Sequence, residues 1–175
     1  MELENFQNLD EPEEADLHFT YSGSGLQLIT FMLGGEQYGI EILKVRELVN
    51  YTHITTIPNV PKFIKGVINL RGLVVPVIDL RNKFGMAEME YNKYTVIIIV
   101  QVRTKLIGLV VDQVSDVVFL SEENTQPAPE FSERIDTRFM KGMGRVRDSL
   151  VILLDIDELL SQQELGLIPE PKSAE

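Results

Sequence analysis

From residue 26 onward the chain sets short β-branched and aliphatic runs between Gly and Pro punctuation, a pattern of many short strands and few helices. Strands are expected over 26–33, 37–42, 66–70, 73–78, 94–102, 106–111, 114–120, 142–146 and 150–154. Residues 42–49 read two ways: Ile42, Val45 and Val49 fit one helical face, but a single turn followed by a strand fits equally well. Asp79 is placed to cap a short helix ending near Gly85. Asp155, with Glu158 three residues on, predicts a capping box that opens a C-terminal helix over about 155–164, carrying Leu159 and Leu160.

The pattern also repeats. Residues 26–49 align without gaps on 95–118, which sets Gly34-Gly35 on Arg103-Thr104 and Gly39 on Gly108. Residues 63–84 align on 139–160, matching Phe63 with Phe139, Lys65-Gly66 with Lys141-Gly142, Arg71 with Arg147, and Asp79 with Asp155. Two halves of similar build imply a mainly β, two-lobed protein. Small closed barrels would remove most exposed strand edges. Taken in chain order, the halves give a first barrel over about 26–92 and a second over about 93–154, within one folded unit spanning 26–168.

Charge separates the first 25 residues from this unit. They hold Glu2, Glu4, Asp10, Glu11, Glu13, Glu14 and Asp16 and no Lys or Arg, and end in Ser22-Gly-Ser-Gly25. Such a segment is expected to be a disordered acidic leader on a flexible joint. Of the net charge of −11, residues 26–175 keep −4, and an acidic body argues against a nucleic-acid partner. The chain has no cysteine, which excludes a disulfide framework and fits a reducing cytoplasm. Its apolar runs are too short for a membrane-spanning helix, and its N-terminus lacks the basic and apolar regions of a signal peptide.

Candidate chemistry is sparse. His18 and His53 lie in no ligand or triad pattern, and Gly142-Met-Gly144 lacks the third glycine of a dinucleotide loop. Asp79, Asp155 and Asp157 sit where helix starts need caps, and Asp112 and Asp116 flank a strand junction. Neither a metal nor an organic cofactor is expected. What stands out is Asn69-Leu-Arg-Gly72, which would display the Arg71 guanidinium at a hairpin tip, ready for a two-pronged bond to a carboxylate. The residues therefore point to a protein that binds other proteins.

Five segments carry a resemblance: Tyr38-Gly-Ile-Glu-Ile-Leu-Lys-Val-Arg-Glu47, Phe63-Ile-Lys-Gly-Val-Ile-Asn-Leu-Arg-Gly72, Val75-Pro-Val-Ile-Asp-Leu80, Gly108-Leu-Val-Val-Asp112 and Pro127-Ala-Pro-Glu-Phe131. In this order they resemble the CheW-like chemotaxis coupling proteins. The resemblance implies two SH3-like five-stranded barrels with a groove between them and a few short helices. It implies a non-catalytic cytoplasmic scaffold joining the cytoplasmic tips of methyl-accepting chemoreceptors to the regulatory domain of a CheA-type histidine kinase. Association with the membrane would come only through those partners, and rings with the kinase or with other CheW-like domains are implied too. It also places Val45, Glu47, Lys65, Gly66 and Arg71 at the receptor and kinase contacts, and Phe131 at a second kinase contact. Gln113 and Gln126 depart from relatives in which glycine and arginine can stand.

A fused receiver domain, as in CheV-like relatives, is not expected, because nothing of domain size follows residue 160. Two other readings stay open: the same role in an array for surface motility or biofilm signalling, and a small-ligand or hydrolytic barrel built from distant carboxylates.

Overall fold

The computed structural model describes residues 25–127 and 137–168. The acidic leader apart from Gly25, His18 and Phe131 lie outside them. The elements run β1 (Gly25–Leu33), β2 (Glu36–Glu41), a 3-10 turn (Ile42–Lys44), β3 (Val45–Asn50), β4 (Ile64–Leu70), β5 (Leu73–Asp79) and α1 (Leu80–Lys83). Then come β6 (Val96–Val102), β7 (Lys105–Val111), β8 (Gln113–Ser121), β9 (Thr125–Gln126), β10 (Met140–Val146), β11 (Ser149–Leu154) and α2 (Gln162–Leu167). All nine expected strands are present, and 42–49 resolves into a turn followed by a strand.

The strands form two sheets, β8-β1-β2-β11-β10-β9 and β3-β6-β7-β5-β4. This membership corrects the division of the chain into barrels at residue 92. The β1-β2 hairpin lies in the sheet built mainly from the second half, and the β6-β7 hairpin lies in the sheet of the first half. The reason is local. Only Asp112 separates β7 from β8, and one residue cannot close a reversal, which needs at least two. The chain must instead bend onward into the other sheet. The 3-10 turn between β2 and β3 does the same in the first half.

The repeat holds in atomic detail. Val45 opposes Val100 across β3-β6 as Val114 opposes Phe31 across β8-β1, and each pair of strands skips one residue next, Arg46 and Ser115. The parallel pairs Val77↔Gly108 and Leu153↔Gly39 match. So do the bulges between Ile64 and Gly66 and between Met140 and Gly142. The Asp79 N–H donates to the Phe63 carbonyl at 2.8 Å, and the Asp155 N–H to the Phe139 carbonyl at 2.9 Å. Four hairpin tips share one left-handed position, held by Gly34, Arg71, Arg103 and Arg147 with φ of 61°, 52°, 57° and 56°.

Each sheet buries a small core of its own: Ile68, Val75, Ile97 and Ile99 in one, Leu28, Leu120 and Val151 in the other. A larger core between them unites Phe31, Tyr38, Ile78, Ile98, Leu109, Phe139 and Leu154. Here Tyr38, Phe84 and Phe139 form a chain of ring contacts with centroids 5.8–5.9 Å apart. Arg81 adds a charged tie: its Nε and Nη2 donate to Asp112 at 2.8 and 2.7 Å, and the Gly34 N–H donates to the same carboxylate at 3.0 Å.

Asp79 caps α1 as expected, accepting from the Asn82 N–H. The C-terminal segment differs from expectation. Asp155 accepts from the Asp157 N–H and heads a 3-10 turn over Ile156–Glu158, while the capping box sits at Ser161 and Glu164, heading α2. Buried Leu159 and Leu160 fill the central core immediately after the 3-10 turn, so that the helix restarts at Ser161. Ser161→Ala should therefore cost about 1 kcal/mol, measured by urea denaturation.

Candidate protein-docking site

Three of the elements place the expected site residues. Alternation along β3 leaves Val45 and Glu47 half-buried and sends Arg46 and Leu48 outward. The β4-β5 tip carries Arg71, with the Gly72 N–H tied to the Asn69 side chain at 2.8 Å. Arg71 reaches back to β3 and grips Glu47 with both guanidinium arms, Nη1 to Oε2 at 2.9 Å and Nη2 to Oε1. The guanidinium holds the Glu47 carboxyl below its usual range, and Glu47 in turn raises Arg71. The pair lines one side of an open groove of about 570 Å³, together with Arg46, Leu70, Leu73, Ile99, Gln101 and Leu106.

The structure brings Glu47 and Arg71 together and sets Lys65 and Gly66 apart from them. Lys65 faces the other way, 3.7 Å from Glu88, toward a shallow pocket with Asp79 and Tyr91. There the Tyr91 hydroxyl donates to Asp79 at 2.5 Å, and burial, then Asp79, push its ionisation up. Gly66 is buried backbone: its φ is 144°, and a Cβ there would sit 1.9 Å from the Thr55 carbonyl oxygen. Val45 packs against the central core.

A second groove, of about 530 Å³, opens at the junction of the two sheets and is lined by Leu43, Lys44, Arg46, Gln101, Arg103, Asp157 and Glu158. Lys44 and Asp157 pair across it at 2.9 Å; that bond raises Lys44 and lowers Asp157. Beside it Leu43 is 69% exposed and Leu48 45%. The sequence reading missed these two, although a leucine on the polar side of an alternating strand was a visible signal for Leu48.

The other half offers a contrast. Asp116 and Arg147 occupy the places of Glu47 and Arg71, but no ion pair joins them among the described residues, and Asp116 accepts instead from the Val117 N–H at 2.8 Å. The described residues hold no cluster of three or more His, Asp or Glu placed for a metal. No helix among them is long and apolar enough to cross a membrane.

Comparison with known proteins adds the decisive observation: the model of the CheW-like domain matches residues 27–164. The chain belongs to the CheW family. It is 46% identical over 144 residues to the chemotaxis protein CheW of Klebsiella aerogenes, covering 82% of this chain and 87% of that one. The chemotaxis protein CheW of Bacillus subtilis is 32% identical over 140 residues, covering 80% and 90%. Among solved structures it is similar to the scaffolding protein TtCheW of Thermoanaerobacter tengcongensis, with a TM-score of 0.74 and 36% identity, covering 80% of this chain and 95% of that one. The fold is accordingly the CheW fold of two barrel-like lobes, and the chain is a chemotaxis scaffold and not an enzyme.

Proposed function

We propose that this CheW-family chain couples the cytoplasmic tips of chemoreceptors to the regulatory domain of a CheA-type histidine kinase, in cytoplasmic arrays that reach the membrane only through those partners. The observation that supports this reading best is the forked Glu47–Arg71 pair, displayed at an exposed tip beside a groove floored by Leu70, Leu73, Ile99 and Leu106. An amphipathic helix fits such a groove, with apolar side chains supplying the affinity and the charged pair fixing its register. Arg71 touches the receptor in this proposal. Glu47 orients Arg71 and Val45 supports β3, while Lys65 and Gly66, set away from the groove, contribute by holding β4 in place. Phe131 belongs to a second kinase contact, through which rings with the kinase or with further CheW-like domains close. Because an extended array is multivalent, each contact works while individually modest.

Arg71→Gly is the sharpest test. It deletes the guanidinium at a left-handed position where glycine is unstrained, so the fold should not suffer. In reconstitution with a receptor cytoplasmic fragment and the kinase, receptor-dependent activation should fall about tenfold, the loss set by one charged contact of about 1.4 kcal/mol or more, with an unchanged thermal melt. Full activation by this variant would refute the assignment.

A further inference from the structure

The twofold repeat breaks at one sheltered position. The alignment of 63–84 on 139–160 sets Lys83 on Leu159. Leu159 is fully buried in the central core, whereas Lys83 brings an ammonium against the same core with its side chain only 8% exposed. Three groups surround that charge. Its Nζ lies 4.4 Å from the centre of the Phe63 ring and 5.1 Å from that of Phe139, and it pairs with Glu164 of α2 at 2.7 Å. Burial alone would raise the Glu164 carboxyl, but Lys83 and the Ser161 N–H outweigh it and hold it below the usual range, so the pair is charged at neutral pH.

These groups come from both lobes. Phe63 directly precedes β4 and Lys83 ends α1 after β5, both in the lobe of β3 to β7. Phe139 directly precedes β10 and Glu164 follows β11, both in the other lobe. Lys105 of β7 holds α2 from the same side as Lys83, donating to the Leu165 carbonyl at 3.1 Å. The chain crosses between the lobes through 42–44 and at Asp112, and among the described residues no ladder joins the two sheets. Two crossing points leave a rocking motion about the line between them, which side-chain contacts alone oppose.

A leucine, which the repeat supplies at the equivalent place, would fill the Lys83 position without taking a charge out of water. Exchanging a sheltered ion pair for an apolar side chain of like volume is often neutral or stabilising. What the charge adds is direction. Ring faces and a carboxylate satisfy it only while Phe139 and Glu164 stand where they do, and rocking that withdraws either one leaves a sheltered cation uncompensated. We propose that Lys83 is a positioning residue of the scaffold: its ammonium, shared by Phe63, Phe139 and Glu164, suppresses rocking of one lobe on the other. The consequence for an array rests on the function proposed above, because the lobe angle sets the angle between whatever docks on each. The restraint itself needs no partner, and its failure would leave that reading standing.

Because the chain has no cysteine, pairs of nitroxide labels can be placed at chosen sites in the full-length protein. Thr104→Cys with Ser149→Cys spans the two lobes, and Asn50→Cys with Thr104→Cys spans the length of β3 and β6 within one; all three sites are exposed. In Lys83→Leu the distance distribution of the first pair should widen about twofold while that of the second stays unchanged, with a thermal melt no lower than that of the parent. Glu164→Gln, which keeps the packing and removes only the compensating charge, should widen the inter-lobe distribution as well, and it serves alone if Lys83→Leu does not fold. The proposal is overturned if the inter-lobe distribution stays narrow in the folded variants, which would make the ammonium an ordinary contact, or if both label pairs widen alike, which would mean general loosening.

Discussion

Gly66→Ala is expected to lower the melting temperature by about 10 °C. The left-handed φ of 144° strains any residue with a Cβ by roughly 1–3 kcal/mol, and the new methyl, 1.9 Å from the Thr55 oxygen, must displace backbone at a further cost of roughly 1–3 kcal/mol. A total of about 4 kcal/mol converts to that shift in a chain of this size. The displaced backbone is specific: Thr55 and Val67 exchange two hydrogen bonds of 2.9 Å, which pin the loop before β4 against the sheet. Hydrogen exchange at these two amides should therefore rise before any other part of the sheet opens. Gly142, the counterpart in the second half, gives the control. Its φ is not left-handed, and its close neighbour, the Gln126 carbonyl at 2.7 Å, belongs to a two-residue edge strand that can shift. Gly142→Ala should cost less than half as much; equal effects would show that crowding and strain at Gly66 had been misjudged.

Arg81→Ala should destabilise the protein by about 2 kcal/mol, near 6 °C, by leaving the Asp112 carboxylate half-sheltered and unpaired. Both side chains are 16% exposed, and that residual solvent is why the expected cost lies below that of a fully buried pair. The pH dependence carries the signature. Burial alone would raise the Asp112 ionisation, but the Arg81 guanidinium and the Gly34 N–H outweigh it and hold the carboxyl below its ordinary value. A depressed folded value gives stability that is complete above the unfolded value of about 3.9 and lost as pH falls through the folded one. In Arg81→Ala only burial and the Gly34 N–H remain, so this acid-limb loss should shrink. Urea unfolding between pH 3 and 7 measures both slopes, and parallel curves for the two proteins would contradict the account.

Much of this architecture is written locally in the chain. The strands follow from β-branched runs broken by Gly and Pro, the α1 cap from Asp79, and the twofold kinship from the paired Lys-Gly, Arg and Asp positions. What local pattern does not carry is the choice of partner. Either hairpin, β1-β2 or β6-β7, offers the same apolar face to either half, so the repeat alone favours the simpler division in chain order. The single residue between β7 and β8 decides otherwise, and it does so through chain reversal geometry that hydrophobic periodicity does not register. The site was partly hidden for the same reason. Arg46 meets Gln101 only because β6, from the second half, pairs with β3 from the first. The family resemblance implied Glu47 and Arg71 separately, and nothing in it implied that they grip each other. The displaced capping box is a different lesson: Ser161 and Glu164 match the same motif as Asp155 and Glu158, and burial of Leu159 and Leu160 selects between them.

The exchange of hairpins makes the molecule a ruler. One lobe is the continuous stretch from β3 to β7, and the other is stitched around it from both ends of the chain, β1-β2 with β8 to β11, so the inner lobe is tied to the outer one at both of its ends. Asp112 is the rivet of this arrangement: a tug on the free edge strand of one lobe arrives, one residue later, on an interior strand of its neighbour. Whatever docks on the two lobes is thereby held at a fixed distance and angle, and a lattice built from such pieces inherits its pitch from the covalent chain itself.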